Sequence, residues 1–149
     1  MPWLTSASKQ PLLLALLGGA LVATPVGWWV QTEAPWARPL YCIKQPGMLW
    51  GGLAPLPPDF TPQCPQNASY RQEVRAGESR VEQYLVPGWH PRAAAQVLAT
   101  AGYILIDDEL SASNHYSAFL GRITPAELHY TAIRQAQNTL ITISGSPAP

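Results

Sequence analysis

The chain has 149 residues, nine Lys or Arg against nine Asp or Glu, and only 12% charged residues. That balance excludes the basic footprint of a nucleic-acid binder, and the length leaves one modest domain once an apolar leader is set aside. Composition is segregated along the chain, with half of the sixteen prolines lying between Gln31 and Gln66.

From Leu12 to Val30 the sequence LLLALLGGALVATPVGWWV carries no charge. As a helix rising about 1.5 Å per residue it would reach about 28 Å, close to the hydrocarbon depth of a bilayer. Trp3 lies before it and Trp28 and Trp29 at its far end, the placement of indole rings at two membrane interfaces. Residues 1–30 are therefore read as a membrane anchor, with a cleaved signal peptide as the rival. In the rival, Lys9 is the charged region and Leu12–Val22 the apolar one, but its cleavage site is poor. A cut after Ala23 puts Leu21 where a small residue is wanted, and a cut after Ala34 puts Pro35 immediately downstream. A buried core helix is the third reading, against which Gly18, Gly19 and Pro25 count. Lys9 on one side and Arg38 and Lys44 on the other leave the orientation open.

Residues 31–66 read as a Pro/Trp-rich linker or an irregular loop, because each proline removes a donor and fixes φ. Met48, Leu49, Trp50, Leu53, Leu56 and Phe60 make it more apolar than a spacer, so it either packs on the C-terminal domain or forms an exposed partner-binding patch. Cys42 and Cys64 are the only cysteines. They have no CxxC spacing and no nearby histidine pair, which favours a disulfide over a metal site. Closing about 23 residues, that bond would contribute about 3 kcal/mol and imply an oxidising compartment. Two unpaired thiols in a cytosolic protein are the alternative.

Residues 67–149 read as a small α+β domain. SYRQEVRAG and SRVEQYLVPG predict a hairpin turning near Gly77 and Glu78, with Val74, Ala76, Val81 and Leu85 inward and Arg71, Glu73, Arg75 and Glu82 in water. GWHPRAAAQVLATAGY predicts a helix with Pro91 first, an apolar face of Ala94, Val97, Leu98 and Ala101, and Gly102 as the stop. Trp89 is placed to pack on its first turn. YILIDDE, HYSAFLG, ELHYTAIRQ and NTLITIS predict four more strands with turns around SASN, RITPA and AQN. The expected order is ββαββββ, a mainly antiparallel sheet of about six strands covered by one helix.

LVPGWHPRAAAQVLATAGY resembles the opening of a PASTA repeat, and NTLITISG its closing strand. The resemblance implies an extracytoplasmic module that binds cell wall. It covers fewer than about thirty residues of features common to many folds, and the stretch from Asp107 to Gln137 departs from the family's second half.

No GxSxG, HExxH, P-loop or GxGxxG is present, so no cofactor is expected. The polar candidates are Asp107, Asp108 and Glu109 with His90, His115 and His129. A hairpin around LSASN would set Glu109 opposite His115 and Asp107 opposite Ser117, giving an acid–base pair or two metal ligands. The plainer reading is a surface ion pair. The next hairpin pairs Phe119 with His129 and His115 with Ile133. That separates the two histidines by about 13 Å along the strands, too far to share a metal. His90 sits at a helix entrance, where capping is the ordinary role. Asn67-Ala68-Ser69 is a glycosylation sequon, meaningful only in a eukaryotic secretory pathway.

The leading expectation is a membrane-tethered extracytoplasmic module. It would bind a protein, peptide or cell-envelope component through its sheet edge or its Trp/Pro-rich segment. The alternative is a small enzyme or metal-binding protein using Glu109 and His115.

Overall fold

The computed structural model describes residues 27–28, 32, 34–123 and 127–146. Most of the apolar leader, Trp3, Trp29 and much of the turn expected at RITPA lie outside the described residues, while Trp28 is described and exposed. Among the described residues no helix is long and apolar enough to cross a membrane. The chain divides into two compact units, Met1–Arg38 and Pro39–Pro149. In the first, a short helix α1 spans Ala34–Ala37.

The second unit is α+β and mainly antiparallel. Its first strands come from the proline-rich stretch: β1 (Met48–Leu49) pairs with β2 (Ala54–Pro55), and β3 (Thr61–Gln63) joins the main sheet. The main sheet continues with β4 (Arg80–Pro87), β5 (Ile104–Ala112), β6 (His115–Gly121), β7 (Leu128–Gln135) and β8 (Asn138–Gly145). Its strand order is β3-β4-β8-β7-β6-β5. The last four strands run as a meander, and β6 and β7 pair in the expected register, His115 with Ile133 and Phe119 with His129.

Residues 70–76 are not the strand that alternation predicts. They lie in a helix, α2 (Ala68–Ala76), held by caps at both ends. Asn67 Oδ1 accepts a hydrogen bond from the Ser69 amide at 2.9 Å, so the sequon asparagine is an N-cap. Gly77 adopts φ 73°, a left-handed stop that a side chain would resist, and the Glu78 amide donates back to the Glu73 carbonyl. The same residues that alternate also set Tyr70 and Val74 four apart, and that helical pair packs against Cys42, Cys64 and Val81. The sixth strand of the main sheet is β3 instead.

The other helix, α3 (Ala93–Thr100), forms where its periodicity predicts but begins two residues after Pro91, with Arg92 at the cap. Ala94 and Leu98 are buried against one face of the sheet. At its end the Tyr103 amide donates to the Leu98 carbonyl at 3.2 Å, one position beyond Gly102. Tyr130 Oη donates to the Pro91 carbonyl at 2.8 Å and ties the helix entrance to β7. Trp89 carries the Arg134 guanidinium 4.9 Å from its ring centre.

Leu49, Trp50 and Phe60 belong to the same core as Tyr84, Tyr116, Tyr130, Ile141 and Ile143. The middle stretch thus supplies core side chains, each fully buried aliphatic one contributing about 1.5–3 kcal/mol. The disulfide between Cys42 and Cys64 is formed, with Cα atoms 5.7 Å apart. It sits over β4 on the opposite side of the sheet from α3, beside Val81 and α2. Toward β5, β6 and β7 nothing among the described residues covers that second face, with His129 exposed, Phe119 and Ile133 partly so, and Thr131 and Ser117 half-buried.

Candidate functional site

On β4 the expected polarity is inverted. Arg80, Glu82, Tyr84 and Val86 face the core, and Glu82 is 1% exposed although a water-facing position was expected. The inversion follows from a partner far away in sequence. The Trp50 amide donates to Glu82 Oε2 at 2.6 Å, Tyr84 Oη donates to the same oxygen at 2.5 Å, and Arg80 Nη2 donates to Oε1 at 2.6 Å. The Arg80 guanidinium also lies 4.5 Å from the Trp50 ring centre. Burial first, and the Glu82 carboxylate second, hold the Tyr84 hydroxyl well above the ordinary phenol range. Both carboxylate oxygens are used, and the network clamps residues 50 and 80–84 together. Its chemistry is structural.

The sequence candidates fall on the sheet's other face and edge. Glu109 does not pair with His115; it pairs with Ser117, Asp107 pairs with Phe119, and Ala112 pairs with His115. The turn is tighter than LSASN suggested, since only Ser113 and Asn114 remain between the paired residues. Irregularities between Leu105 and Asp107, and between Glu109 and Ala112, shift the register along β5. The structure brings together a different pair. Ser117 Oγ and His129 Nε2 are 3.2 Å apart, and His129 stacks on Phe119 with ring centres 5.0 Å apart. Among the described residues no three His, Cys, Asp or Glu side chains converge to hold a metal ion. His90 uses its backbone amide, which donates to Thr139 Oγ1 at 2.8 Å.

Asp108 points the other way. It pairs with Arg92 at 2.5 Å, and Tyr116 Oη donates to the same carboxylate oxygen at 3.3 Å. Arg92 also lies over the Tyr116 ring. Arg92 and Tyr116 edge a cleft of about 580 Å³ at the entrance of α3, lined also with Asp59, Trp89, His90 and Gln96. The Arg92 cation there is already matched by Asp108, which leaves little charge to recognise a ligand.

The surface that stands out is the β5 edge. β5 ends the sheet, and among the described residues nothing pairs with its outer side. Ile104, Leu105 and Ile106 are 68%, 51% and 57% exposed in succession, and Ile123 beside them is fully exposed. Ile104 and Ile106 border a groove of about 880 Å³ with Gly121, Arg122 and Glu127. Gly121 leaves room for Ile106 to lie along it, since a Cβ there would stand 2.5 Å from Ile106 Cδ1. Beyond the aliphatic run the edge turns acidic, with Asp107 and Glu109 both exposed. Sequence reasoning assigns these acids to chemistry and reads the aliphatics as an ordinary strand. The signal that could mark the edge is three consecutive large aliphatics where a one-sided strand alternates. Comparison with protein-family models, with curated proteins and with solved structures gave no match.

Proposed function

We propose that Pro39–Pro149 is an extracytoplasmic binding or assembly module that captures an extended protein segment by strand addition to β5, tethered through the apolar leader. The observation that carries this reading is a nine-residue edge strand, unpaired on its outer side among the described residues, with three consecutive exposed aliphatic side chains. Natural sheets blunt such edges with short strands, charged side chains, prolines, bulges or cover, because an open one templates pairing. β5 is long, has no Lys or Pro, and sits next to an apolar groove; its protection is its acidic run and two irregularities, and Ile104, Leu105 and Ile106 precede the acids. Strand addition gives a partner its backbone hydrogen bonds from the edge and its specificity from alternate side chains.

Two further observations support it. Leu49, Trp50 and Phe60 are buried, so the other expected recognition surface is largely spent on the core. The disulfide fits an oxidising compartment, and nineteen uncharged residues from Leu12 to Val30 fit a tether. The acid–base alternative is not favoured, since Glu109 and His115 are out of register.

A lysine on the edge tests the reading. Leu105 is half-exposed, so Leu105→Lys should alter stability by no more than about 0.5 kcal/mol. In the source cells it is expected to cut co-purification of the partner at least about tenfold, whereas Ser79→Lys on the same chain leaves it unchanged. Equal capture by both variants contradicts strand addition.

A further inference from the structure

We propose that the strand received by β5 is a basic one: an extended segment of a partner protein with two Lys or Arg two residues apart on the same face. This inference rests on the strand-addition reading and names its partner's chemistry.

Side-chain direction comes first. Residues paired across an antiparallel ladder point to the same face, and alternate residues share a face. Asp107 is paired with Phe119 and Glu109 with Ser117, so both acids lie on the face that α3 does not cover. Ile104 pairs with Gly121 on that face, and Ile106 lies against the same glycine. Asp107 and Glu109 lie two apart in the regular stretch of β5, so residues of an added strand opposite them are themselves two apart, while the irregularity before Asp107 breaks that spacing toward Ile104 and Ile106.

The charges are available. Asp108, on the other face, is matched by Arg92. Among the described residues Asp107 and Glu109 make no ion pair, and both are exposed at the open edge. An incoming strand brings its side chains to about 5 Å from theirs, where opposite charges stabilise and like charges destabilise.

The same geometry disfavours a second copy of this chain. An antiparallel copy centred on Asp107 would set the two Asp107 carboxylates face to face, with Glu109 diagonal to the copy's Asp107. A parallel copy in register would oppose each acid with itself. Centring on Ile106 opposes no two acids but confines the pairing to residues 104–108, and centring on Leu105 runs it into the turn at Gly102, where β5 has not begun. The acids thus favour a basic strand over a second copy.

Synthetic nonapeptides on the full chain test this. One carries lysine at positions five and seven and threonine elsewhere; a second has the reversed order; a third replaces both lysines with glutamates. Amide exchange locates the binding, and titration gives Kd. One of the lysine peptides is expected to protect β5 amides and to bind about tenfold more tightly than the glutamate peptide at low salt, a ratio that shrinks at high salt. Asp107→Lys with Glu109→Lys is expected to invert the preference. The salt dependence measured on the unaltered chain decides the matter even if that variant does not fold.

Equal binding of lysine and glutamate peptides at β5 overturns the basic-strand inference and leaves strand addition standing. Binding of no peptide, or binding that protects no β5 amide, overturns the basic strand. If Leu105→Lys also fails to reduce capture in cells, strand addition falls with it. Self-association that protects β5 assigns the edge to a second copy and overturns the proposal.

Discussion

Glu82→Ala is expected to lower the stability of the domain by about 3–5 kcal/mol, the usual cost of leaving one partner of a buried ion pair uncompensated. Three groups lose their acceptor together: the Trp50 amide, the Tyr84 hydroxyl and the Arg80 guanidinium. Arg80 is itself 8% exposed, so water cannot readily replace the carboxylate. Total stabilities of about 5–15 kcal/mol make this a change that should be plain in denaturant unfolding. Glu82→Gln keeps the shape and an acceptor oxygen but not the charge, and is expected to fall between the alanine variant and the parent. Arg80→Met combined with Glu82→Met should recover part of the loss, since no charge is then left buried alone, though Trp50 N–H and Tyr84 O–H remain unpaired. A loss under about 1 kcal/mol for Glu82→Ala would mean that the network does not clamp residue 50 to β4.

Replacing Cys42 and Cys64 with serine is expected to cost about 3 kcal/mol, from the entropy that a crosslink across 22 positions removes from the unfolded chain. For a unit of this size that is a fall in Tm of roughly 10 °C. The bond lies within a small cluster with Val81, Tyr70 and Val74, so its loss also loosens the seat of α2. A reducing agent should bring the parent chain down to the melting point of the double variant and leave the variant where it is. If reduction and substitution both leave Tm within about 2 °C of the oxidised parent, the disulfide is not a stabilising tie.

The parts of the fold legible in the sequence are those where local pattern and final packing agree. The α3 periodicity with Gly102, and the strands β6, β7 and β8 with short turns between them, read directly because each carries its own boundary signals. The α2 segment does not, since SYRQEVRAG satisfies a two-residue alternation as well as a four-residue one. The caps at Asn67 and Gly77 decide between them. Glu82 is illegible for a different reason. A glutamate on a strand looks solvated unless the amide of Trp50, 32 residues earlier, is known to reach it. At the candidate site, the residues of the acidic run are legible but their neighbours are not. The two-residue turn at Ser113 and Asn114 moves Glu109 away from His115, the irregularity between Glu109 and Ala112 then sets it opposite Ser117 rather than Ala118, and no residue type in the run announces either. Exposure of Ile104, Leu105 and Ile106 depends on which strand ends the sheet, a property of topology that a single strand's sequence does not carry.

Strand addition to β5 is tested most directly by amide exchange on the chain isolated from its source cells with a partner bound, compared with the same chain after the partner is stripped by high salt. The account predicts that alternate amides between Ile104 and Glu109 exchange at least about tenfold more slowly in the bound state, because outward-facing backbone groups become paired while inward-facing ones are already bonded to β6. Unchanged exchange along β5, with protection emerging instead around Trp89, His90 and Arg92, would contradict it and move the binding surface to the entrance of α3.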